Sequence, residues 1–352
     1  MKAAQLVAPG KFEMREVEVP ELAAGEVLIR VAAAGICGSD AHLVHLEKPP
    51  FPLPMTLGHE STGYIEALGP GVKGLQQGQA MLVAGIWGCG QCRACREGRE
   101  NACEYWARRS PVPLGPGLGF NGGMAERMVV PGRALFPLGD LDPVEAAPLA
   151  DAGVTPCHAI NLARPHLHAD AIVAVIGVGG LGHMAVQILR ATTSCRIVAI
   201  DTDATRLNAA KVLGADDTVA SDADAVEKIM QLTDGLGVQA VFDFVGTNPT
   251  LALANAIVAP YGALIVVGLG RGSFLAVADA PPTGMPKWGV SLIRPYGGTH
   301  RDIFEVIGLA QRGRLKASIE RHALCEAPAV LASLTQGRVQ GRAVLIPERG
   351  SR

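Results

Sequence analysis

From Ala171 to Asp201 the sequence changes its hydrophobic period twice. Ala171-Ile172-Val173-Ala174-Val175-Ile176 is an unbroken apolar run, the pattern of a strand buried on both faces. Gly177-Val178-Gly179-Gly180-Leu181-Gly182 follows at once, then a helical stretch through about Arg190. A second apolar run, Ile197 to Ile200, ends at Asp201. Strand, glycine turn, helix, strand and acid in this order make a dinucleotide-binding unit. Gly177 permits the tight turn, Gly179 lets a pyrophosphate approach, and Gly182 lets helix and strand pack closely. The turn as a whole, Gly180 and Leu181 included, is assigned to the cofactor, with the phosphates at the helix N-terminus. Asp201 lies 19 residues past Gly182. Its carboxylate can accept from both adenosine ribose hydroxyls and would repel a 2′-phosphate, so NAD is expected over NADP. Asp203 adds to the repulsion, and Arg206 is expected to flank the adenine.

Helical and strand patterns alternate from there. Helices are expected at 205–213, 223–232 and 250–258, and strands at 218–220, 240–245, 263–267 and 290–293. That predicts a doubly wound α/β fold with a six-stranded parallel sheet over 153–294. The chain before it has short strands separated by Pro and Gly and reads as a mostly β domain, 1–152. A helix at 301–312 and a final strand, Arg342 to Ile346, are expected to return to that domain, giving it 295–352 as well.

Two clusters of metal-binding residue types lie in the β part. The first is Cys89, Cys92, Cys95 and Cys103, in a loop at about 88–104. Four thiolates can close a tetrahedral zinc site with no open position, which is a structural site. Iron–sulfur ligation is the alternative. The long last spacing and the missing Pro after Cys103 disfavour it. The second cluster joins three separate segments: Gly35-Ile36-Cys37-Gly38-Ser39-Asp40, Leu57-Gly58-His59-Glu60 and Leu149-Ala150-Asp151. Cys37, His59 and Asp151 leave the fourth position of a zinc ion open, the catalytic arrangement. Glu60 can ligate directly or orient the ligands.

Net charge is −2 with no long run of one sign, which argues against nucleic-acid and anionic-membrane partners. The opening Met1-Lys2-Ala3-Ala4-Gln5-Leu6 lacks an apolar signal segment. Four of the eight cysteines crowd between 89 and 103 and the rest are scattered, a pattern of metal binding rather than of a disulfide framework, and a cytoplasmic protein is expected.

With these residues in hand, the chain resembles the zinc-containing medium-chain alcohol dehydrogenases over essentially its whole length. It is most similar to bacterial secondary and aryl alcohol dehydrogenases. The family signature G-H-E-x2-G-x5-G-x2-V is matched by Gly58, His59, Glu60, Gly63, Gly69 and Val72. The four cysteines match the family's structural lobe, and residues 177–182 its cofactor fingerprint. The resemblance implies a GroES-like β domain beside a Rossmann domain, two zinc ions per chain, NAD, and a homotetramer, with a dimer as alternative. It implies small alcohol, ketone or aldehyde substrates, with a polyol dehydrogenase as runner-up. Cys37, His59 and Asp151 would hold catalytic zinc. Ser39 would be the relay hydroxyl, and His42 either a relay histidine or a surface residue. Thr155 would pack near the nicotinamide, and backbone at Val267 and Gly268 near its carboxamide. Trp87 and Tyr296 would line the substrate pocket or serve as core. Gly38 departs from the pattern, because the family often has Arg or His there to contact the pyrophosphate. Arg342 resembles another pyrophosphate contact.

Overall fold

The structure is a computed structural model that describes residues 1–110, 112–273 and 287–348. The chain forms two compact units, Met1–Val154 with Gly297–Arg352, and Thr155–Tyr296. The first unit opens with β1 (Lys2–Ala8), β2 (Lys11–Glu16) and β3 (Glu26–Ile36). Helix α1 (Gly38–Val44) and strands β4 (Met55–Thr56), β5 (Glu60–Leu68) and β6 (Ala80–Val83) follow. The cysteine-rich loop carries two short helices, α2 (Arg93–Arg96) and α3 (Glu104–Ala107). Then come β7 (Gly115–Pro116), β8 (Gly119–Phe120), β9 (Arg127–Pro131), β10 (Leu135–Pro137) and α4 (Pro143–Ala146). Strand β3 is buried along almost its whole length because it lies in the middle of a sheet, with β5 on one side. Leu6, Ile36, Leu43, Met55, Leu57 and Leu345 form part of a core that sits against this end of β3. Burying each such side chain stabilises the unit by about 1.5–3 kcal/mol.

The second unit follows α5 (Val154–Leu162), which begins at the boundary. Its elements are β11 (Ile172–Ile176), α6 (Gly182–Thr192), β12 (Arg196–Asp201), α7 (Ala204–Val212), β13 (Asp217–Ala220) and α8 (Ala225–Leu232). Next are β14 (Val238–Asp243), α9 (Asn248–Ile257), β15 (Val258–Val266) and β16 (Ser291–Ile293). The six strands are all parallel, in the order β13-β12-β11-β14-β15-β16. This is the doubly wound order whose direction of growth reverses at the first strand. Ala174, Ile176, Val198, Ile200, Val241 and Leu264 fill the core of this unit. Gly182 is required where it stands, because a Cβ there would collide with the Gly177 carbonyl. The expected six-stranded parallel sheet is present. The largest boundary difference is at β15, which starts at Val258, where the helical stretch was expected to end, five residues before the apolar run at Ala263. The cause is an irregular register, with Val238 paired to Val258 and Ala240 to Ala263. Tyr261 takes up the extra chain length at φ 57.

The tail adds α10 (His300–Gln311), β17 (Ile319–Ala323), α11 (Ala327–Thr335) and β18 (Arg342–Ile346) to the first unit. Strand β18 lies between β3 and β17, antiparallel to the first and parallel to the second. No helix among the described residues is long and apolar enough to cross a membrane.

Candidate active site

Three loops of the first unit converge on one point. Cys37 directly follows β3 and is the N-cap of α1, His59 precedes β5, and Asp151 follows the short turn after α4. Cys37 Sγ lies 3.3 Å from Asp151 Oδ2, and His59 Nε2 lies 3.6 Å from the same oxygen. One ligand atom from each of Cys37, His59, Glu60 and Asp151 falls within 4.8 Å of all the others. Ligands at zinc–sulfur and zinc–nitrogen distances of ~2.0–2.3 Å stand roughly 3.3–3.8 Å apart around a tetrahedral ion, so the spacing fits zinc. The charge fits as well. Burial pulls His59 toward its neutral form, yet Asp40, with hydrogen bonds to Asp151, Asp40 and Cys37, raises its pKa well above the ordinary 6.5. The carboxylates of Asp40 and Asp151 beside the buried imidazole, with Glu60 next to them, supply negative charge that a divalent cation would neutralise.

Asp40 was not singled out in the sequence, and it is completely buried. At the third position of α1 its Oδ2 accepts the Cys37 N–H at 2.8 Å, tying the helix start to the thiol. Its Oδ1 faces His59 Nδ1 at 3.4 Å. A carboxylate on the far nitrogen fixes the ring so that Nε2 points to the cluster. The signal was in the sequence: an acid three residues after an N-cap position reaches back to the cap backbone. Ser39 Oγ lies 3.1 Å from His59 Nε2. His42 is half-buried one turn further along α1.

Glu60 stands behind the cluster, fully buried. Its Oε1 accepts the Ala152 N–H at 3.2 Å and pairs with the Arg342 guanidinium, which is itself buried. Burial pushes Glu60 up to about 7 while Arg342 opposes the shift. Burial also acts against the Arg342 charge, but Glu60, Cys37 and Asp151 more than reverse it and hold the guanidinium charged. The partner the structure gives Arg342 is thus a carboxylate. Gly35 makes room for this pair, since a Cβ there would collide with Glu60 Oε2. Gly38 is exposed, with open space around an added Cβ.

The second cluster is a nest of sulfurs. Cys89, Cys92, Cys95 and Cys103 place their Sγ atoms within 4.8 Å of one another, with Cys89 and Cys95 at 4.0 Å. Backbone N–H groups point at them: Cys92 N to Cys89 Sγ at 3.4 Å, Cys95 N to Cys92 Sγ at 3.5 Å, and Cys89 N to Cys103 Sγ at 3.4 Å. The Cys95 N–H lowers Cys92 to about 6, whereas burial raises Cys95 to about 12. Four sulfurs so arranged fit a closed tetrahedral zinc site. Another residue outside the sequence reading, Glu100, anchors this loop. It is buried, and it accepts from the His300 N–H at 3.2 Å and pairs with His300 Nδ1 at 3.2 Å.

Trp87 is core-like. Its Nε1 donates to the Ala84 carbonyl at 2.9 Å, and its ring packs 5.1 Å from Phe120. It lines a cavity of about 560 Å³ with Trp106 and Phe120, whose walls include none of Cys37, His59 or Asp151.

In the second unit Gly177 and Gly182 bracket the turn before α6, with Gly179, Gly180 and Leu181 half-buried between them. Asp201 is buried at the end of β12 and accepts from Val178 N at 2.7 Å and Asp203 N at 3.0 Å. Asp203 also caps α7 through Thr205 N at 2.7 Å. The Arg206 guanidinium lies between these acids, 4.0 Å from Asp201 and 3.9 Å from Asp203. The N–H groups of Val267 and Gly268 both go to the Asp243 carbonyl, at 2.9 and 3.0 Å. Thr155 is buried in the first turn of α5, and Tyr296 is 37% exposed.

A sheet of dinucleotide-binding order in one unit, and two clusters suited to zinc in the other, define a nucleotide-dependent metalloenzyme. Residues 23–140 match the alcohol dehydrogenase GroES-like domain and residues 180–312 the zinc-binding dehydrogenase domain. The chain belongs to the zinc-containing medium-chain alcohol dehydrogenase family. It is 37% identical over 343 residues to the D-arabinose 1-dehydrogenase (NADP(+)) of Saccharolobus solfataricus, covering 96% of this chain and 94% of that one. It is 35% identical over 360 residues to an NAD-dependent alcohol dehydrogenase of Sulfurisphaera tokodaii, covering 99% and 100%. The crystal structure of the Aeropyrum pernix alcohol dehydrogenase superposes with a TM-score of 0.90 at 37% identity, covering 99% and 100%.

Proposed function

We propose that this protein oxidises alcohols to ketones or aldehydes, and catalyses the reverse reaction, using two zinc ions and NAD. The observation that carries this reading is the buried convergence of Cys37, His59 and Asp151, with the Ser39 hydroxyl beside it. Zinc held by these three residues supplies, when bound, the Lewis acidity that brings an alcohol's pKa toward neutrality. NAD, when bound on the second unit, supplies the hydride acceptor. The rest falls to the chain. Asp40 holds the His59 ring in its ligating orientation, and Arg342 keeps Glu60 compensated behind the ligands. Ser39 takes the substrate proton on its Oγ as it gives up its own hydroxyl proton, which passes on through the bound cofactor's ribose hydroxyl to His42, and His42 hands a proton to solvent. The four cysteines hold the second zinc in a structural role.

Initial rates on secondary, aryl and primary alcohols, polyols and aldoses test the substrate class. The aldoses belong in the panel because the Saccharolobus relative is a D-arabinose dehydrogenase. No oxidation of any of them by zinc-replete protein would refute the proposal.

His42→Ala is expected to slow alcohol oxidation roughly tenfold, mostly at low pH where solvent base is scarce. A pH–rate profile identical to that of the unaltered enzyme would remove His42 from the relay.

NAD is the preferred cofactor in this reading, because Asp201 presents its carboxylate at the end of β12. Asp201→Ser should narrow the NAD-over-NADP ratio of kcat/KM by about tenfold or more, by removing an acceptor and a repulsive charge together. The competing reading, NADP, draws on Arg206 and on the cofactor named for the Saccharolobus relative. Faster initial rates with NADP at equal subsaturating concentration would favour it.

A further inference from the structure

Asp243 is the last residue of β14 and is completely buried. Four N–H groups converge on it. Its Oδ1 accepts from Val245 N at 2.8 Å and Gly246 N at 2.9 Å, and its carbonyl accepts from Val267 N and Gly268 N at 2.9 and 3.0 Å. It therefore ties together the loops that leave β14 and β15. These loops touch backbone to backbone. Gly270 N donates to the Val245 carbonyl at 2.9 Å and Gly272 N to the Gly246 carbonyl at 2.8 Å. A Cβ on Gly246 would collide with the Gly268 carbonyl, and one on Gly268 with Val245. On its other side the first loop meets the fingerprint turn, since a Cβ on Gly177 would reach Val245 Cγ2 at 2.5 Å.

The sheet order gives these loops a place along the cofactor. Asp201 and the adenosine side belong to β12, on one flank of β11, whereas β14 and β15 lie on the other flank. A dinucleotide lies across the point where the order reverses, so the half beyond the pyrophosphate passes over the ends of β14 and β15. The geometry points to Asp243 as a positioning residue: its carboxylate and carbonyl set the two loops that receive the nicotinamide half of the cofactor. This rests on the dinucleotide reading above and adds the residue that sets that half of the site. Asp243 need not touch the cofactor itself, because both loops are held by their own backbone N–H groups.

The substitutions follow from which oxygen is engaged. Oδ2 has no hydrogen-bond partner among the described residues. Asp243→Asn keeps the acceptor used by Val245 and Gly246 and changes only the unengaged end. Asp243→Ala removes the acceptor and leaves two buried N–H groups unpaired. The zinc-loaded full chain would be titrated with NADH and with ADP-ribose, which lacks the nicotinamide, by calorimetry and NADH fluorescence. Asp243→Ala should weaken NADH binding about tenfold while leaving ADP-ribose within about threefold, and Asp243→Asn should restore NADH affinity. Equal losses for both ligands, no loss for either, or an Asp243→Asn protein as weak as the Ala form would overturn the inference. Should Asp243→Ala not fold, Gly268→Ala displaces the same loops and should give the same selective loss; unchanged NADH affinity there would overturn it. If the unaltered protein does not bind ADP-ribose, the dinucleotide reading fails and the inference with it.

Discussion

Asp151→Ala is expected to lower kcat/KM for alcohol oxidation by about a thousandfold or more, and to reduce bound zinc from about two ions per chain to about one. Asp151 supplies the oxygen that lies 3.3 Å from Cys37 Sγ and 3.6 Å from His59 Nε2. Without it, the remaining thiolate and imidazole make a two-ligand site, short of the three that catalytic zinc sites use. Loss of Lewis-acid stabilisation worth several kcal/mol corresponds to three or more decades of rate at ~1.4 kcal/mol each. Far-ultraviolet circular dichroism should stay unchanged, because Asp151 sits in a loop and its side chain is 18% exposed. Full activity with one zinc lost would assign the cluster a structural role instead.

The second large effect is expected on stability. Cys95→Ser should remove the other zinc and lower the thermal midpoint by roughly 10 °C, because zinc-binding energy is folding energy for the segment it closes. Cys95 is one of the two buried cysteines of the nest, 4.0 Å from Cys89. A serine hydroxyl there is a poor zinc ligand, and burial opposes its ionisation. The damage should stay local at first. Residues 88–104 contain only short helical turns, whereas the rest of the unit keeps its own core around Leu6, Ile36 and Leu57. Amide exchange should therefore rise in that loop before it rises in β3 or β5. Unchanged zinc content would contradict the assignment of these sulfurs.

These two clusters differ in how far the sequence revealed them. The four cysteines lie within one loop, so their spacing alone pointed to a closed site. Cys37, His59 and Asp151 come from three loops and became legible through the resemblance of the residues around His59. The parallel sheet was legible because period and glycine placement follow from local sterics. The neighbours that finish the sites were not. Asp40 carries no metal-ligand spacing of its own, although its distance from Cys37 is a capping signal. The bond between Arg342 and Glu60 spans 282 positions, and no local pattern carries such a contact. Val267 and Gly268 were expected to offer backbone to a carboxamide. Their N–H groups are engaged by Asp243, which leaves their carbonyl oxygens for that role.

The placement of β18 between β3 and β17 has a consequence for how the chain assembles as it is made. Everything in 155–296 is translated before Arg342 can reach Glu60 or β18 can pair with β3. The parallel unit is contiguous and can form its core while the β unit still lacks an inner strand. In that interval the Ala34–Ile36 end of β3, beyond its pairing with β9, is an unpaired edge, the kind of surface that recruits other strands. Glu60 is then a carboxylate without its guanidinium. Closing the sheet over so long a loop is the slow kind of contact formation. A nascent chain stalled between 300 and 340 should thus bind nucleotide, hold zinc poorly at Cys37, and be the species most exposed to aggregation.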